Sequence, residues 1–495
     1  MRVLLVNPAF PVFPNYPRHA SPPLGLAYLA GSLERAGHDV RIVDCIVEDF
    51  KRETQLDETL RVHGWTAADV IGAVDQPPEL VAIACVFSTL DRVVRRFAAR
   101  FKEAWPGVPV VTGGAHATAM AEDVARDGSI DYVIRGEGDE AICRLADYLE
   151  RRIDIREVNN LTWADGETVY ETGQTFVDDP DTLPLPARHL LDMDAYARIG
   201  HMQGISGSGR KATTLITSRG CTAKCRFCSI HGVWGRRFRP HSAGRVLEEI
   251  VHLYNDYGIR HLLFEDDNLT FDRERAKAIF RGILDRGLDL TWTAPNGVAL
   301  WSLDEELLGL IRATGCARLS LGVESGDPDT LRRIIRKPLK LDRVDRLVAT
   351  CRDLGIATTA FFVVGLPGET TEAMKRSLEY AERLAVDSVC ISIASPFPGT
   401  EIYDECREKG YLVEGFSFDN LMTQVGNIRT EHFTPAEVEA LVARTHLRRA
   451  FRHPRRTLKR LAEKFRGSPK ETFTFVVNRT VSKLWRKAEI GRAHV

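Results

Sequence analysis

Short β-rich apolar runs alternate with helix-period segments twice along this chain, and that alternation restricts the fold more than any other feature. The opening run "MRVLLVNPAF" ends in a turn, "PPLGLAYLAGSLERAGHDVRIVDC" supplies a helical face and a second strand, and "LVAIACVFS" (Leu80 to Ser88) a third. A helix through Leu90 to Ala104, the strand "VPVVTGG" and the segment "DYVIRGEGDEAICRLADYL" continue the order. Strands alternating with helices predict a parallel sheet with helices on both faces. Residues 1–150 are therefore expected to form an α/β, doubly wound parallel sheet. Ligands of such sheets sit outside the carboxyl ends of the strands, which places Asn7, Pro8, Ser88, Thr89, Gly113, Gly114, Gly136, Glu137 and Gly138 on one rim.

Between 151 and 205 the pattern loosens into the Pro- and Asp-rich "DDPDTLPLPARHLLDMDAY", which reads as a linker. The strand "ATTLITS" at Ala212 then opens a second α/β unit over 206–410, with strands predicted in "IRHLLFED", "DLTWTAP", "CARLSLGVES", "ATTAFFVVG" and "DSVCISIAS". Six such units make a partial (β/α)6 barrel, whose functional groups belong on the loops after the strands. Residues 411–489 read as a helical, basic C-terminal region: 441–495 carry 16 Lys and Arg against 3 Asp and Glu, within a chain of net charge -1. Hydrophobic residues at 44% fit an ordinary globular protein of two or three domains, and no apolar run approaches the about 20 residues of a membrane span. Ten cysteines without a repeated spacing outside 221–228, and no charged start leading into an apolar stretch, predict a reducing, cytoplasmic setting.

The barrel's first loop, "TSRGCTAKCRFCSI", puts Cys221, Cys225 and Cys228 within eight residues. A closed zinc site needs four ligands, and the nearby fourth candidate is His231. A redox pair suits three thiols poorly. The remaining option is a [4Fe–4S] cluster held by three thiolates, with one iron open to an outside ligand.

Cysteines spaced C-x3-C-x2-C after the first barrel strand, with Phe227 before the last, resemble the radical S-adenosylmethionine (SAM) enzymes. The resemblance implies a partial TIM barrel in which SAM chelates the open iron and is cleaved to a 5′-deoxyadenosyl radical. It extends to four later segments: "FEDDN" with Glu265, Asp266 and Asp267; "LGVESG" with Glu324 and Ser325; "VVGLPGET" with Gly365 and Pro367; and "SPFPGT". By that resemblance Phe227, Glu265, Asp266, Asp267, Glu324, Ser325, Gly365 and Pro367 are the SAM-binding residues.

The N-terminal segments resemble the Rossmann-like cobalamin-binding domain that precedes many radical SAM barrels. That likeness implies cobalamin contacts at Asn7, Pro8, Leu24, Gly25, Ser88, Thr89, Gly113, Gly114, His116, Gly136, Glu137 and Gly138. The D-x-H-x-x-G signature that supplies a cobalt-ligating histidine elsewhere is missing, which leaves His116 a rim or supporting role. The two likenesses together imply a methyltransferase of unactivated carbon or phosphinate phosphorus, using methylcobalamin and the adenosyl radical. Three alternatives stay open: a non-methylating cyclase or oxidoreductase like the anaerobic magnesium-protoporphyrin monomethyl ester cyclase; a methylthiotransferase, drawing on Cys45, Cys85 and Cys143; and a non-catalytic cobalamin or iron–sulfur sensor.

Implied partners are a small-molecule or lipid substrate and an external electron donor of the flavodoxin or ferredoxin type; nucleic acid has no recognised module here. The tail "HLRRAFRHPRRTLKRLAEKFRG" places Leu447, Phe451, Leu458, Leu461 and Phe465 on a helical stripe, expected to pack on the barrel. The other use of such a helix is peripheral contact with an anionic membrane. "IGRAHV" (Ile490 to Val495) is encoded by ATC GGA AGA GCA CAC GTC, which resembles a sequencing-library adapter. Residues 490–495 are thus expected to be an assembly artefact that replaces the natural C-terminus.

Overall fold

The computed structural model describes residues 1–13, 16–200, 209–454 and 458. In the first half, parallel strands Arg2–Asn7, Asp39–Asp44, Leu80–Ala84, Val110–Gly113 and Tyr132–Ile134 stand in spatial order 2-1-3-4-5. The order reverses between the first and third strands, and at such a switch point open α/β sheets take their ligands. Successive side chains alternate between two buried layers: Leu4 and Val6 pack with Phe97 and Phe101, whereas Val3 and Leu5 pack with Leu33 and Leu145. Burial on both faces is why these strands read as unbroken apolar runs.

Residues 151–200, the described part of the expected linker, are structured. Leu161–Asp165 and Thr168–Glu171 form a hairpin that adds two antiparallel strands to the edge of this sheet, making seven. Its two-residue turn is Gly166-Glu167, with Gly166 at φ +58°, and a glycine opening such a turn is a hairpin signal that a composition-based reading passes over. Farther on, the buried guanidinium of Arg188 donates to Glu249 (2.5 Å) and to the Thr214 carbonyl (2.8 Å), while Tyr196 Oη donates to Asp44 (2.7 Å). The segment is therefore built into both halves of the molecule.

The second half is a six-stranded parallel sheet paired in chain order: Ala212–Leu215, His261–Phe264, Thr291–Val298, Cys316–Glu324, Ala357–Val364 and Ser388–Ile393. Its first and last strands do not pair, so the barrel is open on one side. Trp292 anchors part of the core, stacked on Phe280 at 5.0 Å with its indole N–H donated to Thr314 (3.0 Å).

The helix Pro435–Arg452 starts with a Thr434–Glu437 capping box and buries Val438. Its expected apolar stripe does not pack on the barrel: Leu447, Phe451 and Leu458 are 56%, 77% and 66% exposed. Arg449 takes the inward place instead, donating to the carbonyls of Ala381, Glu382, Leu384 and Val386 where the helix Thr371–Arg383 ends. Free carbonyls at a helix C-terminus attract a cation, and that attraction sets the rotation of the last helix. Leu461, Phe465 and residues 490–495 lie outside the described residues. Among the described residues no helix is long and apolar enough to cross a membrane.

Candidate functional site

After the first barrel strand, a two-residue ladder of Ser218–Arg219 against Arg239–Pro240 closes the neck of the loop that carries Cys221, Cys225 and Cys228. Gly220 passes through that neck at φ +83°, where a Cβ would stand 2.2 Å from the Arg237 carbonyl oxygen, so only glycine fits. All three thiols are free and half-buried. Burial pushes Cys225 up to about 11 and Cys228 up to about 12; Lys337 opposes the rise at Cys225, and the neighbouring thiols add to it at both. The three sulfurs thus share one electrostatic neighbourhood. Among the described residues no three His, Cys, Asp or Glu side chains converge on a single ion. His231 lies half-buried beside the backbone of Ala223 and Cys221, and its Nε2 is buried without a hydrogen-bond partner. Arg226 pins the loop from outside, its N–H donated to the Ile335 carbonyl (3.3 Å) and its guanidinium paired with Glu401 and Glu405. Phe227 packs against the barrel core.

Facing the thiols are groups from the ends of other strands. Glu324 closes the fourth strand at φ +69°, a left-handed conformation costly for a residue with a Cβ, and strain of this kind gathers at functional sites. Lys337 holds it there, donating to Glu324 Oε1 (2.9 Å) and to the Gly322 carbonyl (2.6 Å). Burial works against the Lys337 cation, but Glu324, Cys225 and Cys221 outweigh it and its pKa is raised. Lys337 follows a π-helical segment, Thr330–Ile335, and nothing in its local sequence marks it as a site residue. Burial raises Glu265 and Asp267 to about 7; Glu265 is bonded to Asn296, and Asp267 lies near Cys228.

Two of the expected SAM contacts are committed elsewhere. Asp266 is buried and accepts from Thr217 N (3.1 Å), Thr217 Oγ1 (2.7 Å) and Ser218 Oγ, which fixes the base of the cysteine loop. Ser325 is buried against Ser377 (2.6 Å) and accepts from Asp327 N. Gly365, at φ +81°, and Pro367 are buried in a turn that Glu369 caps by accepting from Gly365 N (2.8 Å) and Leu366 N (3.2 Å).

The carboxyl ends of the other sheet's strands, and the turns after them, carry Asn7, Pro8, Ser88, Thr89, Gly113 and Gly114. Asn7 donates to Asp44 (2.8 Å) beside buried Pro8, and Leu24 is buried whereas Gly25 is exposed, with open space where a Cβ would stand. Gly113 and Gly114 are constrained by the protein itself, a Cβ on Gly114 meeting the Cys85 carbonyl oxygen at 2.8 Å. Thr89 is buried; His116 is buried too, its Nδ1 3.0 Å from Ser88 Oγ and its Nε2 3.3 Å from Asp91, so it supports the rim from behind. Val86 and Phe87, 43% and 57% exposed at the switch point, form an apolar step that strand patterning alone assigns to the strand. The segment after the barrel closes over this rim: Phe418 meets His116 edge-on at 5.2 Å, and Asp419 pairs with Arg92.

Glu137, one of the expected cobalamin contacts, has its side chain committed within the protein. Its carboxylate is buried, paired with Arg239 and accepting from Val177 N (2.8 Å), while Gly136 donates its N–H to Thr118 (2.8 Å) and Gly138 packs against Leu29. Next to it, Asp139 takes both terminal nitrogens of Arg219 (2.7 and 3.1 Å). Cys45 and Cys85 lie in one apolar layer of the sheet and Cys143 in the other, so these thiols do not form a second cluster site.

The model of the radical SAM superfamily matches residues 215–381, and that of the B12 binding domain matches residues 17–146. The chain is 31% identical over 443 residues to the cytidylyl-2-hydroxyethylphosphonate methyltransferase of Streptomyces wedmorensis, covering 83% of this chain and 82% of that protein. It is 30% identical over 453 residues to an uncharacterized methyltransferase of Pyrococcus horikoshii, covering 90% and 92%. In fold it resembles the radical SAM methyltransferase TsrM of Kitasatospora setae, solved with cobalamin and a [4Fe-4S] cluster bound, with a TM-score of 0.66 at 20% identity over 89% of this chain and 84% of that one.

Proposed function

The chain belongs to the cobalamin-dependent radical SAM methyltransferases, and from that premise we propose that it methylates an unactivated carbon, or a phosphinate phosphorus, of a small-molecule substrate. One observation carries the reading: three free thiols at the barrel mouth, faced by Glu324, Lys337 and Asp267. Cys221, Cys225 and Cys228 hold the cluster, and the nearby Lys337 cation offsets the charge of their thiolates. Glu324 and Asp267 offer carboxylates to the methionyl ammonium of SAM. The exposed apolar step of Val86 and Phe87 suits the flat face of a corrin, with Gly25 open beside the rim. Bound together, these cofactors supply an adenosyl radical and a transferable methyl group.

The substrate enters between the two cofactor sites, under the segment that carries Phe418 and Asp419. The phosphonate named for the Streptomyces relative supports a small anionic molecule there. The setting is cytoplasmic, with electrons from a flavodoxin- or ferredoxin-type donor. Reconstituted protein given methyl-deuterated SAM, reductant and candidate substrates tests the reading. Methylation releases S-adenosylhomocysteine and 5′-deoxyadenosine together; 5′-deoxyadenosine alone would mark a non-methylating enzyme, and neither product a sensor.

A further inference from the structure

The loop from Gly136 to Asp139 touches both halves of the molecule. Its glycines belong to the rim of the doubly wound sheet, and its two carboxylates reach the neck of the cysteine loop. In the neck ladder Arg219 stands directly opposite Arg239. Two guanidinium groups side by side in a two-strand ladder repel, and burial without partners makes them costlier still. Glu137 and Asp139 remove both costs: Asp139 binds Arg219 bidentately, and Glu137 bridges the pair, bonded to Arg239 and 3.4 Å from Arg219. All four side chains are almost fully buried, and Arg219 is also enclosed by the Tyr28 and Trp234 rings at 5.3 and 4.9 Å. The clamp leaves the neck no independent position: where the loop goes, Arg219 and, two residues on, Cys221 follow.

We propose that this clamp of Glu137 and Asp139 on Arg219 and Arg239 energetically couples the two cofactor sites, so that filling the cobalamin rim tightens the cluster loop and assembling the cluster tightens cobalamin. The four are positioning residues. The proposal rests on the reading that both cofactors bind, and by linkage the coupling is the same factor in each direction.

The test measures cobalamin affinity by visible absorbance on the full chain, with and without a reconstituted cluster, for wild type, Asp139→Asn and Glu137→Gln. Wild type should bind cobalamin about 5-fold tighter or more when the cluster is present, at the low end of ordinary coupling. The variants should bring that ratio close to 1, and the reduced-cluster electron paramagnetic resonance spectrum, which cobalamin should alter in wild type, should stop responding to it. Thermal melting of the apo proteins shows whether the variants fold; should both fail, Arg239→Lys keeps the charge, loses the fork and should still lower the ratio. A wild-type ratio of 1, or folded variants that keep the wild-type ratio, would overturn the proposal. Wild type that takes up no cobalamin, or no iron, would instead remove the functional reading beneath it.

Discussion

Glu369 has one carboxylate oxygen on the Gly365 and Leu366 N–H groups and the other buried without a partner. Burial raises its pKa from 4.5 to about 8, against the backbone bonds that lower it. Between those values the folded chain keeps a proton that the unfolded chain releases, so this residue's contribution falls as pH rises through that window. Glu369→Gln, which keeps one acceptor and never ionises, should therefore flatten the loss of melting temperature between pH 5 and 8.5; an unchanged slope would show that Glu369 is ionised in the fold. At the cysteine loop the expectation is sharper. Replacing Cys221, Cys225 or Cys228 by Ala should abolish the iron–sulfur absorbance, whereas His231→Ala should leave an assembled cluster. Loss of iron in His231→Ala comparable to that in the cysteine variants would restore it as a ligand.

The last described helix turns an apolar pair outward beside arginines, because Arg449 is drawn to the carbonyl end of its neighbour. Exposed Leu447 and Phe451 next to Arg448 and Arg452 are suited to an anionic bilayer surface, where apolar insertion and charge attraction add. Sedimentation with vesicles containing phosphatidylglycerol should carry the protein down at low salt. Binding should weaken as salt screens the charges, and the pair Leu447→Ser and Phe451→Ser should abolish it. Failure of wild type to bind at low salt would rule out this membrane contact. The sequence shows this helix but not its rotation, since the partner of Arg449 is a helix end remote in the chain. The same limit recurs in the site. Cys221, Cys225, Cys228 and Glu324 are readable because spacing and strand ends place them, and the parallel strands are readable because burial on both faces leaves unbroken apolar runs. Lys337 comes near the thiols from just after a π-helical segment with no motif, and Asp266 resembles a ligand-binding acid until the fold brings Thr217 and Ser218 to it.

At the scale of the molecule, buried charges among the described residues join the two halves. One such joint is the clamp on the cysteine neck; another is Arg188, from the segment whose composition suggests a linker, seated against Glu249 and the Thr214 carbonyl of the barrel. Buried pairs of this kind add little net stability over apolar packing, yet removing one partner leaves an uncompensated charge and costs about 3–5 kcal/mol. Arg188→Met should therefore lower the melting temperature of the barrel sharply, because Glu249 stays buried and ionisable with no cation beside it. The double change Arg188→Met with Glu249→Leu should recover most of that loss, since both charges leave together and the volume is refilled with apolar atoms. The two single changes and the double form a cycle whose interaction energy is the quantity to measure. Were the segment a loose tether, Arg188→Met would shift the melting temperature little and the cycle would close near zero. A large coupling would make residues 151–200 part of the barrel's own fold, so that excising them separates not two ready-made domains but one sheet missing its edge and one barrel missing a buried cation.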